Sequence, residues 1–201
     1  MISFKEFIKE DVESSLSIFD IDDTLFRTKT SVHVMKDGKK VKSLTPAEYN
    51  VYDKKDGEAF DFSEFRSSAL FNKTAKPVDT VFKTAKRMLD KFKKTPQKEI
   101  IIITARVDLD DKNLFLKTFD KYGFDIKRVH VHRAGNLSMP GPAAKAEIAR
   151  TKLKKGNYTI ARMFDDHAGN LDAFLGLKKE FGNINFEAFF VHENGNITRY
   201  S

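Results

Sequence analysis

The chain of 201 residues contains no cysteine. That absence excludes a disulfide framework, a thiolate zinc site and a cysteine nucleophile together. Long apolar runs are missing too: none approaches the ~18–20 residues that a bilayer-spanning helix needs. The opening MISFKEFIKEDVESS carries a charge every few residues and no apolar leader segment, so no secretory signal is expected. No internal repeat, low-complexity tract or long linker interrupts the chain. A cytoplasmic protein without membrane contact and without an obligatory protein partner is the expectation.

What is present is an ample core and an excess of base. Apolar residues make up 40% of the chain, 19 of its residues are Phe, and 36 Lys and Arg face 29 Asp and Glu for a net charge of +7. Such a balance favours anionic partners, from phosphorylated metabolites to nucleotides and nucleic acid, without choosing among them. The segment 76–94 alone holds seven Lys or Arg against two Asp, which reads as the solvated outer face of an amphipathic helix.

Periodicity divides the rest. Phe4, Phe7 and Ile8 suit a short amphipathic helix over residues 2–10. Leu16–Phe19 is a short apolar run ending in Asp20-Ile21-Asp22-Asp23-Thr24, the pattern of a buried strand that delivers carboxylates at its C-terminal end. Helices are expected from Pro77 to the stop at Pro96, over Asp110–Tyr122, over Pro142–Leu153 and over Ala168–Phe181. They alternate with strands at Glu99–Thr104, Val129–His132 and Thr159–Phe164, and Phe186–Val191 with Ile197–Tyr200 closes as a hairpin or edge. Strand–helix alternation of this kind implies an α/β fold, Rossmann-like, with a mostly parallel sheet and helices on both faces. Residues 27–75 differ: an Asp37-Gly38 turn joins two strand-like segments, and four Phe fall between 58 and 71 without a clean period. The expected organisation is an N-terminal arm (1–15), an α/β core (16–26 and 76–201) and a β-rich insertion or cap (27–75). The insertion reads as a small packed cap rather than an aromatic platform for bases.

In such sheets functional groups collect at the C-terminal strand ends. Three expected strands end in Asp20 and Asp22, in Thr104, and in Asp165 and Asp166, with Lys145 on the helix before the last. Asp20 and Asp22, two apart on extended backbone, point to one side. Neighbouring carboxylates repel, which favours a shared proton or a bound divalent cation, and hard oxygen ligands suit Mg²⁺. His130 and His132 share a strand face but lack a third ligand at convincing spacing for zinc. His167 follows the aspartate pair.

LSIFDIDDTLF, IIIITAR, the helix containing Lys145 and ARMFDDHAGNLDAF, in that order, resemble the four motifs of the haloacid dehalogenase (HAD) superfamily of phosphohydrolases. The resemblance implies a Mg²⁺-dependent phosphatase in which Asp20 is the nucleophile and Asp22 the acid and base. Thr104, Ala105 and the backbone after them would bind the phosphoryl oxygens, with Lys145 neutralising nucleophile and phosphate. It also implies a metal site of Asp20, the carbonyl of Asp22 and one of Asp165 and Asp166, with Asp166 preferred and Asn170 and Asp172 as outer candidates. Within the superfamily, the TAR segment with Arg106 and the HRAG segment with Arg133 are similar to phage phosphatases and to the phosphatase half of polynucleotide kinase-phosphatase, which place arginines near the phosphate. Two positions depart from those patterns: Asp23 stands where many members have Gly, and Gly141 where the polynucleotide phosphatases carry an acidic residue. The implied substrate is a nucleic-acid 3′-phosphate end, a small nucleotide or a metabolite. The rival from another class is a binding protein of the same fold, against which no implied catalytic position carries an inert residue.

Overall fold

The computed structural model describes residues 14–201, so the helix expected over residues 2–10 lies outside the described residues. Strand β1 (Ser15–Phe19) comes first. A short strand β2 (Phe26–Arg27) leads out to β3 (Val32–Lys36), β4 (Lys39–Leu44), helix α1 (Pro46–Asn50) and β5 (Glu58–Asp61), and α2 (Ser68–Thr74) and β6 (Lys76–Pro77) lead back. There follow α3 (Asp79–Phe92), β7 (Lys98–Thr104), α4 (Lys112–Lys121), β8 (His130–Arg133), α5 (Gly141–Lys155), β9 (Ile160–Asp165), α6 (Ala168–Gly176), β10 (Asn185–Val191) and β11 (Ile197–Tyr200).

The central sheet has six strands in the order β11-β10-β9-β1-β7-β8. All neighbours pair parallel except the terminal hairpin β10–β11. This is the α/β class that the alternation implies. β1 lies between β7 and β9, with Phe19 opposite Ile102 on one side and Phe164 on the other. Because the three strands run in register and in one direction, the residues that follow them emerge side by side at one edge of the sheet.

Strand alternation sorts the core into two layers. Phe19, Ile102 and Phe164 face the layer that holds α3 and α4, with Val81, Phe82, Met88, Phe115 and Phe119. Leu16, Ile18, Ile101, Ile103 and Met163 face α5 and α6, with Ala149, Leu153, Leu171 and Phe174. The phenylalanines concentrate in the first layer. Phe19, Phe164 and Phe189 stack across three adjacent strands at 4.5 and 4.8 Å between ring centres. Phe26 sits edge-on to Phe71, Phe82 and Phe119 at 5.5, 5.1 and 5.0 Å.

Residues 28–75 leave and return through the antiparallel pairing of β2 with β6. Their first part is a separate three-stranded antiparallel sheet, β4-β3-β5, turned at Asp37 and Gly38, both with positive φ as a tight hairpin turn requires. Their last part departs from the β-rich expectation. Ser67 caps α2 by accepting from the Leu70 amide, and Phe71 then enters the main core against Phe115 at 5.0 Å. The missing period in this Phe-rich stretch follows from its rings serving two cores: Phe71 the main one, Phe60 and Phe65 the small one under β3 and β4.

Two helix boundaries also move. Pro77 pairs with Phe26, and the Val78 amide bonds to the Leu25 carbonyl at 3.0 Å, which keeps Val78 extended and delays α3 to Asp79. The last expected helix ends at Gly176 and continues only as a 3₁₀ turn over Leu177–Lys179. No helix among the described residues is long and apolar enough to cross a membrane.

Candidate active site

Asp20 follows β1, and its amide bonds to the Phe164 carbonyl at 3.1 Å, which sets it beside Asp165 at the end of β9. The chain then turns sharply, with the Leu25 and Phe26 amides both donating to the Ile21 carbonyl. Asp23 takes φ = 57° in this turn, a left-handed conformation that Asp tolerates better than most residues and Gly adopts freely. Asp at position 23 is therefore compatible with the turn.

Lys145 projects from the first turns of α5 into this edge and is 3% exposed. Its Nζ donates to Asp20 Oδ1 at 2.7 Å and to Asp165 Oδ2 at 2.8 Å. Burial disfavours the ammonium charge, but Asp165 and Asp20 together outweigh it and hold Lys145 above the ordinary lysine range. Burial pushes the Asp20 carboxyl well up, Lys145 opposes, and Asp165, Asp166 and Asp22 push it further.

The two adjacent aspartates have different surroundings. Asp165 is fully buried and accepts from Lys145, from the His167 amide at 3.0 Å and from Asn170 Nδ2 at 2.8 Å. Asp166 accepts from Thr24 Oγ1 at 2.9 Å and lines the cavity above the site. Burial first, then its neighbour Asp165, pushes Asp166 up to about 7. Carboxylate oxygens of Asp20, Asp165 and Asp166 lie within 4.8 Å of one another. Three hard oxygen donors with Lys145 as the neutralising cation, and a carboxyl raised by burial and by its like-charged neighbour, fit a divalent ion such as Mg²⁺. The Asp22 carboxylate is not in this group; its direction leaves only its carbonyl to share in such a site.

Asp22 is instead gripped by Arg106. Arg106 Nε donates to Asp22 Oδ2 at 2.8 Å and Nη2 to Oδ1 at 2.6 Å, while Thr28 Oγ1 donates to the same Oδ1 at 3.3 Å. Nη1 donates to the Phe65 carbonyl at 2.9 Å, and the guanidinium lies 5.2 and 4.8 Å from the Phe65 and Phe71 ring centres. Its side chain has no exposed surface. Rather than reaching for a phosphate, Arg106 ties the aspartate to the insertion.

Two other expected phosphate contacts point elsewhere. Thr104 shares the Ile102 face of β7, is 1% exposed, and its Oγ1 accepts from the Arg106 amide at 3.2 Å. Thr104 therefore shapes the turn, and Ala105 and Arg106 line the cavity in its place. Arg133 follows the face of Val131, lies 5.9 Å from the Phe115 ring and 3.7 Å from Asp108, and does not line the cavity. The register of β8 turns it to the wrong side of the sheet. Asn170 supports Asp165, whereas Asp172, in the middle of α6, accepts from the Tyr200 hydroxyl of β11.

The sequence reading missed the walls. A cavity of about 550 Å³ stands over the aspartates, lined by Tyr49, Phe62 and Phe65 from the insertion and by Leu137, Met139 and Pro142 from the segment after β8. His167 also lines it, its Nδ1 buried without a hydrogen-bond partner. Gly135 lets the 134–136 turn close against the strand end: a Cβ there would lie 2.2 Å from the Ala105 carbonyl oxygen. Nothing periodic marks these residues in the sequence.

No family model matches the chain, and neither does any curated protein. Among solved structures, the HAD domain of effector protein Lem4 from Legionella pneumophila is similar, with a TM-score of 0.49 and 12% identity over 88% of this chain and 85% of that one. A structure of the same domain as an inactive mutant aligns with a TM-score of 0.47 and 13% identity over 87% and 84% of the two chains.

Proposed function

We propose that this protein is a Mg²⁺-dependent phosphomonoester hydrolase that works through an aspartyl-phosphate on Asp20. The observation that carries this reading is Lys145, buried between Asp20 and Asp165 at 2.7 and 2.8 Å, with Asp166 completing a three-carboxylate group. A buried lysine that neutralises two carboxylates while a third faces a cavity suits a site built to receive a cation and a phosphoryl group. The four HAD-like motifs agree, since all four supply groups to this edge of the sheet.

Asp20, Asp166 and the Asp22 carbonyl would hold Mg²⁺, with Asp165 holding Lys145 and Asn170 in place. The ion, when bound, supplies charge stabilisation at the transferring phosphoryl group. Lys145 grips Asp20 Oδ1, which leaves Oδ2 to attack phosphorus. The bond from phosphorus to the alcohol oxygen breaks, and that oxygen takes a proton from Asp22. Water then attacks phosphorus, gives its proton to Asp22, and the bond between phosphorus and Asp20 breaks to free phosphate. Asp22 starts as a carboxylate that accepts from Arg106 through both oxygens, so it must release one of those bonds and take up a proton from solvent before it can donate one to the leaving oxygen.

The test is phosphate release from a broad phosphoester panel with Mg²⁺ and with chelator, for the native protein and Asp20→Asn. Metal-dependent turnover lost in the variant is expected; inert native protein on every ester sinks the reading. A nucleic-acid 3′-phosphate end is a second substrate reading, favoured by the net charge of +7. It requires affinity for a phosphorylated oligonucleotide to fall steeply with salt.

A further inference from the structure

Five large apolar side chains are exposed among the described residues: Val41, Val51, Phe62, Leu137 and Met139. Three of the five, Phe62, Leu137 and Met139, stand at the mouth of one cavity, the one over Asp20. They come from separate parts of the chain, Phe62 from the insertion and Leu137 and Met139 from the turn before α5. Exposed apolar surface gathered from two segments around a polar floor is a binding feature rather than scatter.

The wall chemistry is one-sided. Behind Phe62, Tyr49 packs edge-on at 5.3 Å, and Phe65 is fixed in turn by the Arg106 guanidinium at 5.2 Å. The segment after β8 adds a leucine, a thioether and Pro142, all of which pack well on a flat ring. The Lys and Arg lining the cavity are Lys145 and Arg106, and both are already hydrogen-bonded to aspartates of the floor. A second phosphate would therefore meet no uncommitted Lys or Arg among the lining residues.

We infer that the site selects monophosphate esters whose alcohol carries a flat, uncharged aromatic group, held between Phe62 with Tyr49 on one side and Leu137 with Met139 on the other. The inference rests on the hydrolase reading for its floor and on the cavity walls for its selectivity. Nucleoside monophosphates and benzyl- or aryl-type phosphates share this chemistry. Sugar phosphates lack the ring and do not fit it.

Two ester pairs with matched leaving groups test it: adenosine 5′-monophosphate against ribose 5-phosphate, and benzyl phosphate against glycerol 1-phosphate, all with Mg²⁺. In at least one pair the aromatic ester should have a KM lower by about tenfold, the scale of one good aromatic contact, and the pair that responds identifies the source. Phe62→Ala and Met139→Ala, both at exposed positions, should shrink that ratio several-fold. Equal KM values within both pairs, or a preference for the sugar or glycerol ester, would overturn the clamp and leave the hydrolase reading standing. If no ester is turned over, the hydrolase reading fails instead, and titration calorimetry with benzylphosphonate and methylphosphonate decides the clamp separately. Binding of the benzyl compound about tenfold tighter supports it, and equal binding overturns it.

Discussion

Replacing Lys145 by Met removes the cation between two buried carboxylates while keeping an unbranched side chain only one atom shorter. The structure sets the scale. Lys145 is 3% exposed, and its two bonds, at 2.7 and 2.8 Å, reach groups that are 5% and 0% exposed. Breaking a buried ion pair by removing one partner costs about 3–5 kcal/mol, because the remaining charge stays buried. For a chain of this size each kcal/mol moves the melting temperature by about 2–4 °C, so the loss should be roughly 6–20 °C near pH 8. The pH dependence follows from the direction of the Asp20 shift. Its carboxyl is already raised by burial against the opposing pull of Lys145, and losing Lys145 raises it further. A group raised in the folded state binds more protons there than in the unfolded chain, so the variant's stability falls as pH rises above the ordinary carboxylate range. The deficit should thus be large near pH 8 and small near pH 5. Thermal unfolding followed by circular dichroism, without added metal, measures both. A loss under about 2 °C at pH 8, or one equal at the two pH values, would refute the ion-pair reasoning.

Arg106→Ala should lower kcat about 100-fold with KM little changed, since the fork orients Asp22, and Arg106→Lys should not restore it because a single ammonium cannot make both bonds. A raised KM with kcat kept would make Arg106 a phosphate ligand instead. With Asp166 as the proposed Mg²⁺ ligand, binding has to displace the proton favoured on that carboxyl below neutrality, where burial and Asp165 push it up to about 7. Calorimetric affinity should therefore fall by up to about tenfold per pH unit below that point, with proton release, and a flat profile would contradict the assignment of Asp166 as ligand. Gly135→Ala places a Cβ 2.2 Å from the Ala105 carbonyl oxygen, against backbone rather than a yielding side chain. It should cost about 1–3 kcal/mol in denaturant unfolding, and a neutral result would show that the 134–136 turn moves freely.

The sheet was legible because its strands are short β-branched or apolar runs bounded by polar ends, and burial on both faces leaves little else for Ile100–Ile103 to be. The meeting of Asp20, Lys145 and Asp165 was legible in order along the chain, but their distances depend on the register of β1 between β7 and β9. The arginines show what sequence cannot carry. Arg106 lies just beyond the end of β7 and Arg133 is the last residue of β8, yet one lies 2.6 Å from Asp22 and the other against Phe115, a choice made by side-chain alternation and strand register. Thr104 falls on the same side of that choice as Arg133. The cavity walls were hidden for another reason. Phe62 and Phe65 are neighbours in a Phe-rich stretch and both line the cavity, and only the folded insertion packs Phe65 on the small core as well while leaving Phe62 exposed.

The central claim, that Asp20 carries the phosphoryl group, is tested most directly by trapping it. Native protein mixed with a hydrolysed ester and Mg²⁺, quenched within milliseconds and reduced with borohydride, should yield homoserine in the peptide around position 20 by mass spectrometry, and at no other aspartate. Phosphate release with Asp20 unmodified throughout, or full activity in Asp20→Asn, would contradict the account.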